Sequence, residues 1–121
     1  MKFLLLVHHD EQSFRMRPEA ERVGMLQDSI ALARQLHASG QYRGAAPLHP
    51  SSETVCVRMR DGKPIVTDGP FAETREQLGG YFLVDVQDRE EAVRIASRIP
   101  GARIGTVEIR PVPEIAGLPD S

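Results

Sequence analysis

His8 and His9 close an apolar run and are followed at once by Asp10 and Glu11, while a third carboxylate, Asp68, opens the bend Asp68-Gly69-Pro70-Phe71. These are residue types for proton transfer. An imidazole titrates near neutral pH, and burial raises the proton affinity of a carboxylate, so an Asp and a His in one cleft form an acid/base pair. Neighbouring positions on a strand face opposite ways. His8 therefore continues the face of Leu4 and Leu6, and His9 that of Phe3, Leu5 and Val7, so at most one of them enters a given pocket. We expect Asp68 to serve as base or acid, with His8 or His9 as its proton partner. The bend is also complete as a structural element without chemistry: Asp accepts local backbone hydrogen bonds, Gly takes positive φ, and Pro fixes the next angle.

Candidate ligand contacts surround that pair. Arg58 and Arg60 share one face of an alternating stretch, and Glu108 and Arg110 share one face of another. In a sheet covered on both sides such charges must pair, reach the rim or line a cavity. Lining a cavity, Arg58 and Arg110 would grip a small anion, since a guanidinium holds a carboxylate in bidentate fashion. Paired instead, Arg110 would meet Glu108 or Asp85. Phe71 and Glu73 in the loop after the bend, and Tyr81 at the start of the next apolar run, complete the expected ligand contacts. Glu73 and Glu76, three apart, also suit a solvated acidic turn beside Arg75. Gly79-Gly80 suggests a bulge or a close backbone approach, and lacks the spacing of a phosphate-cradling loop. With no HxH, HExxH or CxxC pattern, no metal site is prompted, and the chemistry expected needs no organic cofactor. Cys56 lies mid-strand with no sequence neighbour to activate it. His37 at a helix end suits the dipole there, and His49 beside Pro50 should be solvated.

Positioning these residues falls to one domain. The 121 residues carry a formal net charge of -2 and are 40% hydrophobic, enough for a single core over residues 1–113 with a tail at 114–121. The acidic balance argues against nucleic-acid or membrane-surface binding. One cysteine excludes an intramolecular disulfide and fits a reducing compartment. With neither leader nor span in MKFLLLV, a cytoplasmic location is expected.

Residues 2–8, KFLLLVH, are apolar at successive positions, as in a strand covered on both faces. Val23, Leu26, Ile30, Ala33 and His37 recur at helical spacing between Pro18 and Gly40, predicting an amphipathic helix with those residues inward. A loop around Pro47 and Pro50 leads to ETVCVRMR, whose alternation predicts a half-buried strand, and Asp61-Gly62 then makes a tight hairpin with KPIVT. YFLVDV is a further strand. DREEAVRIASRIP is a helix capped by Asp88 with Ala92, Ile95, Ala96 and Ile99 inward, and IGTVEIR is the last strand. The tail PVPEIAGLPD is punctuated by prolines and cannot enter a central ladder. This order predicts an α+β, ferredoxin-like antiparallel sheet with two helices on one face. The other face keeps apolar side chains, and sheet-to-sheet pairing into a homodimer is the simplest cover.

TDGPFAETREQLGGYFLVDV, followed by EEAVRIASRIPG and VEIRPV, closely resembles the DGPF, or YCII-related, family. The opening MKFLLLVHHDE and the stretch LHASGQ fit the same pattern, so the likeness covers nearly the whole chain. The resemblance implies a bacterial dimeric α/β barrel in which two ferredoxin-like sheets pack face to face. About chemistry it implies less: a few relatives are dehydrochlorinase-like or are proposed enzymes with a His and an Asp in a cleft, and some are encoded beside extracytoplasmic-function sigma factors. Arg75 stands where the family usually has lysine, which keeps the cation and alters its hydrogen-bond geometry. The leading expectation is a small-molecule enzyme that isomerises or eliminates on a small polar or aromatic metabolite. The alternative is a non-catalytic ligand- or partner-binding dimer, with a sigma factor as partner.

Overall fold

The computed structural model describes residues 1–120. In chain order its elements are β1 (Lys2–His9), α1 (Glu11–Arg15), α2 (Glu19–Ala38), β2 (Tyr42–Pro47), β3 (Val55–Arg60), β4 (Lys63–Asp68), β5 (Gln77–Asp85), α3 (Arg89–Ala96) and β6 (Thr106–Val112), with 3-10 turns at Ser51–Glu53 and Pro100–Arg103. Four strands form an antiparallel sheet in the order β2-β5-β1-β6, while β3 and β4 pair only with each other. The α+β arrangement is compatible with a ferredoxin-like plan carrying an inserted hairpin.

Strand β1 is hydrogen-bonded on both sides, so its alternation sets two faces. Leu5 stands opposite Phe82 on one neighbour and Ile109 on the other. Phe3, Leu5, Phe82 and Val84 point together into the core, where Leu32 and Leu36 of α2 and Ala92, Ile95 and Ala96 of α3 meet them. Both long helices therefore cover the same face. Asp88 starts α3 by accepting the Glu91 amide at 2.9 Å, as its sequence position predicts. On the opposite face Leu4, Leu6, Tyr81 and Leu83 remain partly exposed.

Five features differ from the sequence-based expectation. The second strand of the main sheet is Tyr42–Pro47, which falls where the sequence suggests a loop. YRGAAP lacks β-branched residues, but small side chains let this edge strand approach β5 closely: a Cβ on Gly80 would lie 2.9 Å from the Ala46 carbonyl oxygen. The hairpin forms around Asp61-Gly62, both at positive φ, yet β3 is not half-buried. Val55, Val57 and Met59 are 56%, 62% and 59% exposed, because the alternation builds a ribbon with no partner layer. On α2 the fully buried positions are Leu32 and Leu36, whereas Val23, Leu26, Ile30 and His37 are exposed, so the inward stripe is rotated from the predicted one. A third α-helix, α1, follows β1, and β6 extends through Pro111, which an edge strand tolerates.

Leu5→Ala is expected to cost about 2–5 kcal/mol through the cavity it leaves, and Asp88→Ala about 1 kcal/mol through the lost cap. Urea unfolding of the two variants checks this ranking, and an equally small loss for both would contradict the placement of Leu5 at the centre of the core.

Candidate functional site

The pairing of β1 with β5 slips at one point. Val7 stands opposite Gly80 but His8 stands opposite Leu78, so Gly79 is an extra residue without a partner, a β-bulge. The imidazole of His9 fills the space this glycine leaves. Any Cβ at Gly79 would overlap the ring, lying only 2.7 Å from Nδ1. On its other side the ring meets Phe14, with centroids 4.9 Å apart and planes tilted by 55°. Phe14 is held there by α1, whose start is capped by Asp10 accepting the Ser13 amide at 3.0 Å. The Glu11 amide donates to Gln77 Oε1 at 3.0 Å, tying α1 to the first residue of β5.

Burial lowers the pKa of His9 below its ordinary value, and the charges of Glu11, Glu76 and Asp10 act in the opposite direction. Each of those carboxylates has a structural partner. Glu11 accepts the Ser51 amide at 2.7 Å and its hydroxyl at 2.8 Å, Glu76 accepts Thr106 Oγ1 at 2.9 Å, and Asp10 is the cap. The ring of His9 is thus neutral at pH 7 and held by contact, while the hydrogen bonds around it go to other groups.

His9, Phe14 and Gly79 border a cleft of about 510 Å³ between α2 and the sheet. That volume lies within the range of small-molecule sites. The walls are mainly apolar, with Val7, Met25, Ile30 and Ile104 among them, and the cations Arg22 and Arg34 stand at the α2 side. Arg22 donates through Nε to the Arg17 carbonyl at 3.1 Å, which orients the guanidinium and leaves its outer N–H groups for an anion. The partial exposure of Leu26 and Ile30 has its reason here, since they form the lip of a groove and not the floor of a core.

Comparison with known proteins places this geometry in a family. The model of the YCII-related domain matches residues 1–116. The chain belongs to the YCII-related domain family. It is also 35% identical over 116 residues to "Uncharacterized protein R00369" of Rhizobium meliloti (strain 1021), covering 93% of this chain and 92% of that protein.

Within this family member, the residues singled out in the sequence are spread over three places. His9 borders the cleft, and so does Tyr81, although Tyr81 pairs with Leu6 and alternates with the buried Phe82, so its side chain takes the helix-free face. His8 and Arg110 are on that same face, where Glu108 pairs with His8 Nε2 at 3.1 Å and with Arg110 at 3.5 Å. Asp85 pairs instead with Arg43 at 3.3 Å. Asp68 and Arg58 are exposed on the β3–β4 hairpin, and Phe71 and Glu73 are exposed in the loop after it; none of the four borders the cleft. The bend itself is pinned at its base: Gly69, at φ 87°, donates to the Thr54 carbonyl at 2.7 Å, and Cys56 Sγ lies 3.3 Å from the Gly69 carbonyl oxygen. The expected bulge at Gly79 is present, whereas Phe14, Met25 and Arg22 were not anticipated as cleft residues. Phe14, five positions after His9 in a short helix, carried a signal only in its aromatic character. Among the described residues no group of three His, Cys, Asp or Glu side chains is arranged to hold a metal ion, and no helix is long and apolar enough to cross a membrane.

Two outcomes follow from the His9 environment. Because the folded chain binds the His9 proton less readily than the unfolded chain, this contribution to stability is complete above the ordinary imidazole value of 6.5 and is lost as pH falls below it, levelling off beneath the lowered folded value. Thermal melts from pH 5 to 8 should show a shallower acid loss in His9→Gln than in the wild type, and identical slopes would contradict the assignment. Gly79→Ala should displace the imidazole and destabilise by about 1–3 kcal/mol through overpacking. An unchanged His9 resonance in that variant would count against the wedge.

Proposed function

We propose that the cleft binds a small molecule with a largely apolar body and one acidic group, and that His9 transfers a proton on it. The observation that carries this reading is a neutral imidazole, partly withdrawn from water and not fixed by a hydrogen bond, on the wall of a mainly apolar cleft. A neutral ring is ready to accept a proton, and the surrounding charges of Glu11, Glu76 and Asp10 favour the imidazolium once it forms. The part of base or acid that the sequence suggested for Asp68 falls in this reading to His9, and the three carboxylates support it by charge alone. Returning the proton to a different atom of the ligand is an isomerisation; departure of a neighbouring leaving group with its bonding electrons is an elimination. Arg22 would orient the acidic group, and Phe14 would stack against a ring or chain. Neither reaction calls on an organic cofactor.

A second reading, supported by the helix-free sheet face, is a non-catalytic homodimer paired sheet to sheet that works beside an extracytoplasmic-function sigma factor. Recovery of that factor in a pull-down would favour it.

Thermal melting against aryl and alkyl carboxylates tests the first reading. A ligand at a hundred times its dissociation constant should add about 2.7 kcal/mol and raise the midpoint by several degrees. Arg22→Gln should weaken that binding by tenfold or more. His9→Gln should keep binding within a few-fold yet lose deuterium uptake from heavy water into the ligand, followed by proton NMR. Shifts that are equal in all three proteins would place the ligand elsewhere.

A further inference from the structure

We infer that the cleft is a channel for an unbranched alkyl chain, and that its ligand is a long-chain carboxylate lying along α2 with its head at the Arg22 end. The inference rests on the small-molecule reading of the cleft and names the class of ligand. On α2 the cleft is lined at Arg22, Leu26, Ser29, Ala33 and His37, steps of three and four that keep to one face of the helix. At 1.5 Å per residue this stripe is about 22 Å long. The facing wall includes β2, which lines the cleft from Tyr42 to Pro47, about 17 Å of strand. One end is marked by His37 against Tyr42, with ring centroids 6.1 Å apart. At the other, Pro47 leads into Leu48, whose amide donates to the Gly79 carbonyl at 2.9 Å, beside His9 and Phe14. A volume of about 510 Å³ drawn out over that length is slender. A chain fills such a space from end to end, and a compact ring system leaves much of it empty.

The middle of the channel is small and apolar. Ala33 on the helix and Ala45 on the strand give the room between the walls, and Leu26 and Ile30 form the lip. The Ser29 hydroxyl donates to the Met25 carbonyl at 3.0 Å and so has no proton left for a ligand. A peptide or a sugar lying here would bury polar groups without side-chain partners, whereas methylenes need none. Charge selects the head. No Asp or Glu lines the cleft among the described residues, and its two arginines, Arg22 and Arg34, form no ion pair there. Arg22 is braced by the Arg17 carbonyl at the His9 end, while Arg34 is exposed one turn from His37. With carbon–carbon bonds near 1.5 Å an extended chain advances about 1.25 Å per carbon, so roughly 12–16 carbons reach from Arg22 to the His37–Tyr42 end.

Calorimetric titration of the protein with straight-chain alkanoic acids of four to sixteen carbons, each below its micelle concentration, tests this. The dissociation constant should fall roughly two- to fourfold with each added methylene, and level off once the chain reaches the far end. Arg22→Gln should weaken binding tenfold or more at every length and leave the increment per methylene intact, and Arg34→Gln should change it less than threefold. Ala33→Leu and Ala45→Leu each narrow the channel toward its far end. Either should bring the levelling point down by several carbons while the shortest acids bind as before. An increment that stops within six carbons, a loss in the leucine variants that is equal at all lengths, or a greater loss in Arg34→Gln than in Arg22→Gln would overturn the inference. Short acids that bind without any gain from added length would overturn it and leave the small-molecule reading standing; if no acid of any length binds, both fall.

Discussion

Everything in this chain hangs on the register of β1 between its two neighbours. With hydrogen bonds on both sides, β1 cannot turn, so Phe3 and Leu5 go to the helices and Leu4 and Leu6 to the other face. A slip of one residue would exchange these sets, turning Leu4 and Leu6 with Lys2 and His8 toward the helices and Phe3 and Leu5 away from them. The register does change once, at the bulge opposite Gly79, and it changes where the strand stops serving the core and begins to shape the cleft. Fold and site are thus two ends of a single alternation, joined at a position that only glycine can occupy without moving His9.

Adjacent histidines end in unlike surroundings for the same reason. His8 emerges on the helix-free face, where its Nε2 lies 3.1 Å from the Glu108 carboxylate within reach of water, so the contact contributes little. His9 emerges among Phe14, Val7 and the backbone of Gly79, where the charged form is disfavoured by lost hydration. One residue of separation decides between a surface partner and a ring on the wall of the cleft. The three carboxylates near His9 do not form close pairs with it, since each is already engaged in holding α1, the 3-10 turn or β6 in place. Their hydrogen bonds hold the elements around the ring, and their charge tempers its loss of basicity.

Much of this architecture was legible from residues. Consecutive apolar positions marked β1, Asp61-Gly62 marked the hairpin, and Asp88 marked the start of α3, because each depends on local backbone chemistry or on burial patterns that a short stretch displays. The strand Tyr42–Pro47 was not legible, since its pairing comes from space made by Gly80 in a distant segment and not from its own propensity. The inward stripe on α2 was not legible either, because a helix that borders a groove exposes apolar residues which, in sequence, look like core. For the site, the face assignment of His9 was available from alternation, and Gly79-Gly80 advertised a bulge. That the two belong together depends on a long-range pairing no local pattern records. Asp68 and Arg58 drew attention through their residue types, but the ribbon that carries them leaves the main sheet.

Membership of the YCII-related domain family extends across nearly the entire described chain, so the sheet, the bulge and the cleft all lie within the shared region. The most direct measurement is an NMR pH titration of the four imidazoles in the wild-type protein, with His9 assigned by its loss in His9→Gln. The account predicts that His9 titrates below 6.5, as a neutral ring at pH 7, and moves further when an aryl carboxylate saturates the cleft. A His9 that titrates at or above the value of a free imidazole, with or without that ligand, would contradict it.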